Sequence, residues 1–145
     1  MRVTARLVFL ILITVWAGII IGVSLIATPV KFQAPSLTMP VGVEIGRYTF
    51  RLLARVELCL LIASIVAASV AQPRWITTVV LALVIVECAL QRYWLLPVLD
   101  DRVSQILAGG TPSFSIHHRL CAVIEAIKAA LLITGAVVEY RSPLG

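Results

Sequence analysis

The sequence predicts an all-α fold, a four-transmembrane-helix antiparallel bundle, on three observations. Of its 145 residues, 61% are hydrophobic and 13% charged, with a mean hydropathy of +1.06; a soluble domain is apolar over about half its length. Four apolar stretches, each about the 20 residues that cross a ~30 Å hydrocarbon core, alternate with segments rich in proline, glycine or charge. Trp75, Tyr93, Trp94 and Tyr140 fall near the ends of those stretches, where aromatic side chains meet lipid headgroups. Residues 1–145 read as a single transmembrane domain.

The first span is expected over 3–28, closing ahead of Pro29, which lacks the N–H that a continuing helix needs. Its start is basic like a signal peptide, but the apolar run from Leu7 to Ala27 exceeds the ~7–15 residues of such a segment, so it reads as a retained span. Gly18 and Gly22 form a small-xxx-small face that lets another backbone approach closely. Pro35 and Pro40 break up the connection that follows. Thr38 is positioned to cap a helix with Pro40 in its first turn, running through Glu44, Arg47 and Arg51 as an interfacial stretch into the second span, 52–72.

QPRW, residues 72–75, is too short to join anything but antiparallel neighbours, so the third span follows at 75–96, closing near Trp94 and Pro97. The segment LDDRVSQILAGGTPSFS reads as a short amphipathic surface helix opening at Asp100 or Asp101 and stopped by Gly109, Gly110 and Pro112. Ser115 then caps the fourth span, 117–138. Two longer connections therefore share one side of the membrane.

The net charge of +5 would suggest nucleic acid in a soluble protein. Here the basic residues gather at span ends, where lipid phosphates and loop placement explain them, and nucleic acid is excluded as a partner. The partner the composition demands is the lipid bilayer. Cys59, Cys88 and Cys121 lie in apolar stretches without metal-type or C-x-x-C spacing, and are expected to be small buried hydrophobes. The chain carries no nucleophile triad, phosphate loop or nucleotide motif, and an enzyme is not the favoured reading.

The anomaly lies inside the spans. The second has only Leu58 to Gln72 free of charge, about 22 Å at 1.5 Å per residue, and the third and fourth have less, because Glu87 and Lys128 interrupt them. Measured from the short-loop surface of an antiparallel bundle, Glu57, Glu87, Glu125 and Lys128 fall in one layer at about 17–22 Å, with Arg55 and Arg92 at about 26 Å. Each charge facing lipid at mid-bilayer costs about 2.5–3.5 kcal/mol or more. Such charges should therefore face one another or a wet cavity, and the charges of these six sum to zero, as a self-neutralising network requires. Arg55 and Glu57, two apart on a helix, point to nearly opposite sides, so one of them faces the centre. On the fourth span His117, Cys121, Glu125 and Lys128 make one stripe. Arg47, Arg51 and Arg119, farther out, are suited to an anionic ligand or a lipid headgroup.

Three functions are compatible with this layer. In the leading one the network holds a small accessory subunit in register within a larger membrane complex. The alternative is intramembrane ligand or ion binding with proton movement, Glu125 and Glu87 bearing the proton. The third is a haem- or metal-dependent redox protein with His117 or His118 as ligand. Against it, no Glu-x-x-His is present, and adjacent histidines diverge by about 100° on a helix.

The segments TPVKFQAPSL, GRYTFRLLARVE and HHRLCAVIEAIKAALL resemble a group of small, uncharacterised bacterial four-span integral membrane proteins, over most of the chain. More distantly the architecture is similar to other compact four-helix domains and to the membrane domain of bacterial copper-resistance proteins, though two Met and two His are few for copper. The resemblance implies a four-span bundle in a bacterial inner membrane and no particular activity. The long-loop side carries more basic residues than the short-loop side with its Arg2, Arg6, Arg74 and Arg141; once those assigned to the buried or interfacial network are discounted, the positive-inside rule leans toward both termini in the cytoplasm.

Overall fold

Backbone amides cannot be left unpaired in hydrocarbon, so an apolar chain of this length resolves into helices whose hydrogen bonds close within each segment. The computed structural model describes residues 1–110 and 116–141, with side chains from 119 onward in the last helix. It is a membrane-spanning bundle of four helices: α1 (Arg2–Lys31), α2 (Met39–Ala71), α3 (Trp75–Leu107) and α4 (Ile116–Tyr140). Thr38, extended at φ −76° and ψ 151°, occupies the cap position of α2 without a side-chain hydrogen bond to it, and Pro40 follows in the first turn. Gln72, with φ 48°, turns the chain over between α2 and α3.

Two helices run farther than expected. α1 continues past Pro29 to Lys31, and α3 passes Pro97 to Leu107, so the amphipathic segment around Asp100 and Asp101 is the end of α3 instead of a separate surface helix. The same device permits both: a π-helical stretch precedes each proline, Ile21–Ala27 in α1 and Gln91–Leu95 in α3. An α-helix brings the proline ring against the carbonyl four residues back and wastes its acceptor; widening the preceding turn re-aims those carbonyls. In α1 the carbonyl of Val23 accepts both the backbone N–H of Thr28 and its hydroxyl at 2.9 Å. Pro112 and Ser115, read as helix stop and cap, lie outside the described residues.

α1 packs against α2 and α4, α4 also packs against α3, and the far end of α3 lies along the first half of α2. Phe9, Ile13, Trp16 and Ile20 of α1 form the core with Leu61, Val84 and Leu132. Outward positions such as Leu7, Ile11, Ile62, Val66 and Val86 are equally apolar, so lipid contact does not distinguish them. Packing and hydrogen bonds between helices therefore hold the bundle together.

The two glycine pairs behave differently. A Cβ on Gly42 would sit 2.7 Å from the Phe32 ring, and one on Gly46 3.1 Å from Lys31 Nζ, because the connection after α1 lies on this strip of α2. At Gly18 and Gly22 a Cβ would meet nothing within 4 Å, so among the described residues no neighbouring helix uses their small-xxx-small face. Gly42→Leu should thus lose stability by about 1–3 kcal/mol through overpacking. Gly18→Leu should change it little, and thermal unfolding in detergent compares the two. Equal losses would contradict the packing described.

Candidate functional site

Lys128 is at the centre. It is 0% exposed, with room for three hydrogen bonds on its ammonium, and the structure supplies three acceptors. Nζ donates to Glu57 Oε1 at 2.8 Å, to Gln91 Oε1 at 2.6 Å and to Glu125 Oε1 at 3.5 Å. Gln91 Nε2 donates in turn to Glu125 Oε1, and Trp16 Nε1 donates to Glu57 Oε1 at 3.0 Å. Trp16 comes from α1, Glu57 from α2, Gln91 from α3 and the remaining two from α4, so every helix contributes.

The depths agree with this convergence. Counted from the short-loop ends of their helices, Lys128, Trp16, Glu57 and Gln91 lie about 18 to 24 Å in. The π stretch of α3 begins at Gln91, and such bulges re-aim a side chain toward a site.

The sequence-predicted layer divides. Glu57, Glu125 and Lys128 come together. Glu87 is half-buried at their edge, its Oε2 without a hydrogen-bond partner among the described residues. Arg55 and Arg92 are exposed and stand away from the cluster. Arg55 is two residues from the inward Glu57, which places it on the opposite side of α2, and Arg92 follows the inward Gln91. Of the pair Arg55 and Glu57, the carboxylate faces the centre.

The cluster's charge is consequently not the balanced sum read from sequence. Two carboxyls surround one ammonium, and Glu87 stands near as a third carboxyl. Trp16 and Gln91 were missed: neither ionises, and a mid-span tryptophan far from the belt positions was the only signal for the first. Gln91 shares a face with Glu87, four residues earlier.

Glu125 has a second oxygen. The residue is 0% exposed, yet among the described residues Oε2 has no hydrogen-bond partner, and the same holds for Ser24 Oγ in a residue 4% exposed. Both residues line one cavity of about 130 Å³ between α1, α2 and α4, completed by Thr28, Pro29, Phe50 and Ala122. Ser24 lies in the π stretch of α1 and Thr28 just beyond it. Pro29 and Ala122 are exposed, so the cavity reaches the outer surface of the bundle beside the end of α1.

The outer basic residues have a different setting. Arg51 Nε and Nη2 donate to Asp100 Oδ2 at 3.1 and 2.6 Å. Arg47 Nη2 donates to the Asp100 carbonyl and to Ser104 Oγ. The anion set against both arginines is thus a side chain of α3, brought there because that helix continues through Pro97. Arg119 is exposed near the start of α4. The side chains of His117 and His118 lie outside the described residues, and among the described residues no three His, Cys, Asp or Glu are grouped to hold a metal ion.

Of the cysteines only Cys121 is buried. Cys88 is half-buried and Cys59 is exposed on the lipid-facing side of α2, which corrects the expectation that all three are interior.

No family model matches this chain, and neither a curated protein nor a solved structure matches it. Of what the sequence resemblance implied, the four-span, all-helical membrane architecture is what the structure supports.

Proposed function

We propose that the protein binds and exchanges a positive charge, in the simplest case a proton, at Glu125 within the membrane. One observation carries this reading: a fully buried carboxyl oxygen that has no partner among the described residues and faces a cavity. An unpaired buried acceptor costs about 1–3 kcal/mol, more when it is charged. A site that exists only to hold helices together would satisfy it, as Lys128 satisfies its own three hydrogen bonds. The count of charges supports the same reading, because Lys128 balances one carboxylate and Glu57 and Glu125 are two. Among the described residues the groups near Glu125 are Lys128 and Cys121 on its own helix, Glu57 on α2, and Gln91 with Glu87 and Cys88 on α3.

The accessory-subunit reading takes the cluster as a packing device, and the unpartnered oxygen weighs against that as its whole purpose. We place the protein in a bacterial inner membrane, which its four apolar helices cross.

A membrane-soluble carbodiimide tests the reading, since it adds to a protonated carboxyl and, after the acyl group shifts from oxygen to nitrogen, leaves a stable N-acylurea mass tag on that side chain. Glu125 should be tagged, less so as pH rises, while buried Glu139, whose oxygens accept from Arg6, Arg74 and Thr77, should stay untagged. Equal tagging of Glu125 and Glu139, or none at Glu125 at any pH, would end the proposal.

A further inference from the structure

We infer that the cavity beside Glu125 is a binding site for a small primary ammonium ion carrying a short apolar body. This rests on the reading of Glu125 as the seat of an exchangeable positive charge, and adds which charge carrier the cavity is shaped for.

Three properties of the cavity select the class. Its two polar atoms without a partner among the described residues, both in residues more than nine-tenths buried, are Glu125 Oε2, which can only accept while ionised, and Ser24 Oγ, a hydroxyl whose lone pairs accept and whose own hydrogen can turn toward the carboxylate side of the cavity. Thr28 Oγ1 spends its hydrogen on the Val23 carbonyl and so offers only its lone pairs here. An ammonium donates three N–H bonds, and three side-chain oxygens line this space.

The charge has the right sign. With Glu57 and Glu125 ionised against Lys128, the cluster carries one negative charge, which a monovalent cation cancels without moving any proton. Lys128 is held on the other carboxyl oxygen, Oε1, so it does not occupy the place of the guest.

The remainder of the wall is apolar: Phe50, Ala122 and Pro29. Hard metal cations take about six or more oxygen ligands or keep their water, and this wall cannot replace that many. An alkyl group, by contrast, gains contact with it. A cavity of about 150 Å³ accommodates benzene, so the observed 130 Å³ limits the ion to about six non-hydrogen atoms. Access is from the side of the long connections, where Pro29 and Ala122 open the cavity two residues from the end of α1.

Calorimetric titration of the full-length protein in lipid nanodiscs tests this with ethylammonium, propylammonium, tetramethylammonium and sodium chlorides. The two primary ammonium ions should bind, and tetramethylammonium, which has no N–H, should not. Glu125→Gln should weaken ethylammonium binding at least tenfold, consistent with loss of a charged hydrogen bond. Ser24→Ala should weaken it by about two- to tenfold, and serves alone if the glutamine variant fails to fold. Glu139→Gln, outside the site, should leave binding unchanged. Sodium binding as well as ethylammonium, or affinity unaltered in Ser24→Ala and Glu125→Gln, overturns the assignment. If no ammonium ion binds while the carbodiimide still tags Glu125, the ammonium site falls and the proton reading stands; if neither occurs, both fall.

Discussion

Replacing Lys128 by methionine should be the most destabilising single change in this protein. Methionine approximates the length of the side chain but removes the donor on which Glu57, Gln91 and Glu125 converge. Breaking a buried pair leaves an uncompensated charge, at a cost of about 3–5 kcal/mol. Two carboxyls would be left here in place of one, with Trp16 still donating to Glu57, so the loss should lie toward the upper end. Unfolding by denaturing detergent, followed by circular dichroism, measures it.

The cause can be isolated by a second change. Adding Glu57→Gln to Lys128→Met removes one stranded carboxyl, so the double variant should be more stable than Lys128→Met alone although it carries more substitutions. Residues sharing one hydrogen-bond network depart from additivity by about 0.5–3 kcal/mol. Strict additivity, or a Lys128→Met protein as stable as the wild type, would show that Lys128 does not hold the layer. Replacing Glu57, Glu125 and Lys128 together by apolar residues of similar size should cost less than Lys128→Met. Well-packed hydrophobic substitutes for a buried ion cluster are often neutral or stabilising. Such a protein would be folded and empty of function, which separates the packing role of the layer from its chemistry.

The sequence showed the layer more readily than its members. Charges interrupt three spans at matching depth, and hydrocarbon tolerates them only inward, so the depth of Glu57, Glu125 and Lys128 was legible. The azimuth of each side chain was not. Arg55 and Arg92 are as close in depth as the others, yet helix rotation turns both outward, and rotation follows from packing that one sequence does not display. Gln91 was hidden for a different reason: an amide carries no charge to betray its depth, and the π stretch that begins at it depends on Pro97 six residues later. Both helix ends were misplaced by the same oversight, since a proline ends a helix only if the preceding turn cannot widen. The cavity was not legible at all, because Ser24, Phe50 and Ala122 are ordinary residues in a membrane helix until three helices are brought together.

A second buried carboxylate provides the contrast that gives the site its meaning. Glu139 lies at the short-loop end, 2% exposed. Its Oε1 pairs with Arg6 Nε at 2.8 Å, and its Oε2 accepts from Thr77 Oγ1 at 3.1 Å and from the Arg74 backbone N–H at 3.2 Å. It thereby ties the start of α1 and the start of α3 to the end of α4. Both of its oxygens are used and one guanidinium balances its charge, which is how a carboxylate with a purely structural task should look.

Glu139→Leu should therefore cost about 3–5 kcal/mol, as Lys128→Met does, because it removes the carboxylate that pairs with Arg6 and accepts from Thr77 and from the Arg74 backbone N–H. Arg6→Met combined with Glu139→Leu should recover much of that loss. The two clusters must differ in every readout other than stability. Glu139→Gln, which keeps an acceptor, should retain wild-type ammonium affinity and carbodiimide tagging at Glu125. Glu125→Gln should weaken ammonium binding at least tenfold and abolish tagging at that position, and should unfold with a smaller loss than Glu139→Leu, because it replaces an oxygen that no donor among the described residues satisfies. If Glu125→Gln proved the more destabilising of the two, Glu125 would belong with Glu139 among the structural carboxylates, and the cavity beside it would have no use for its charge.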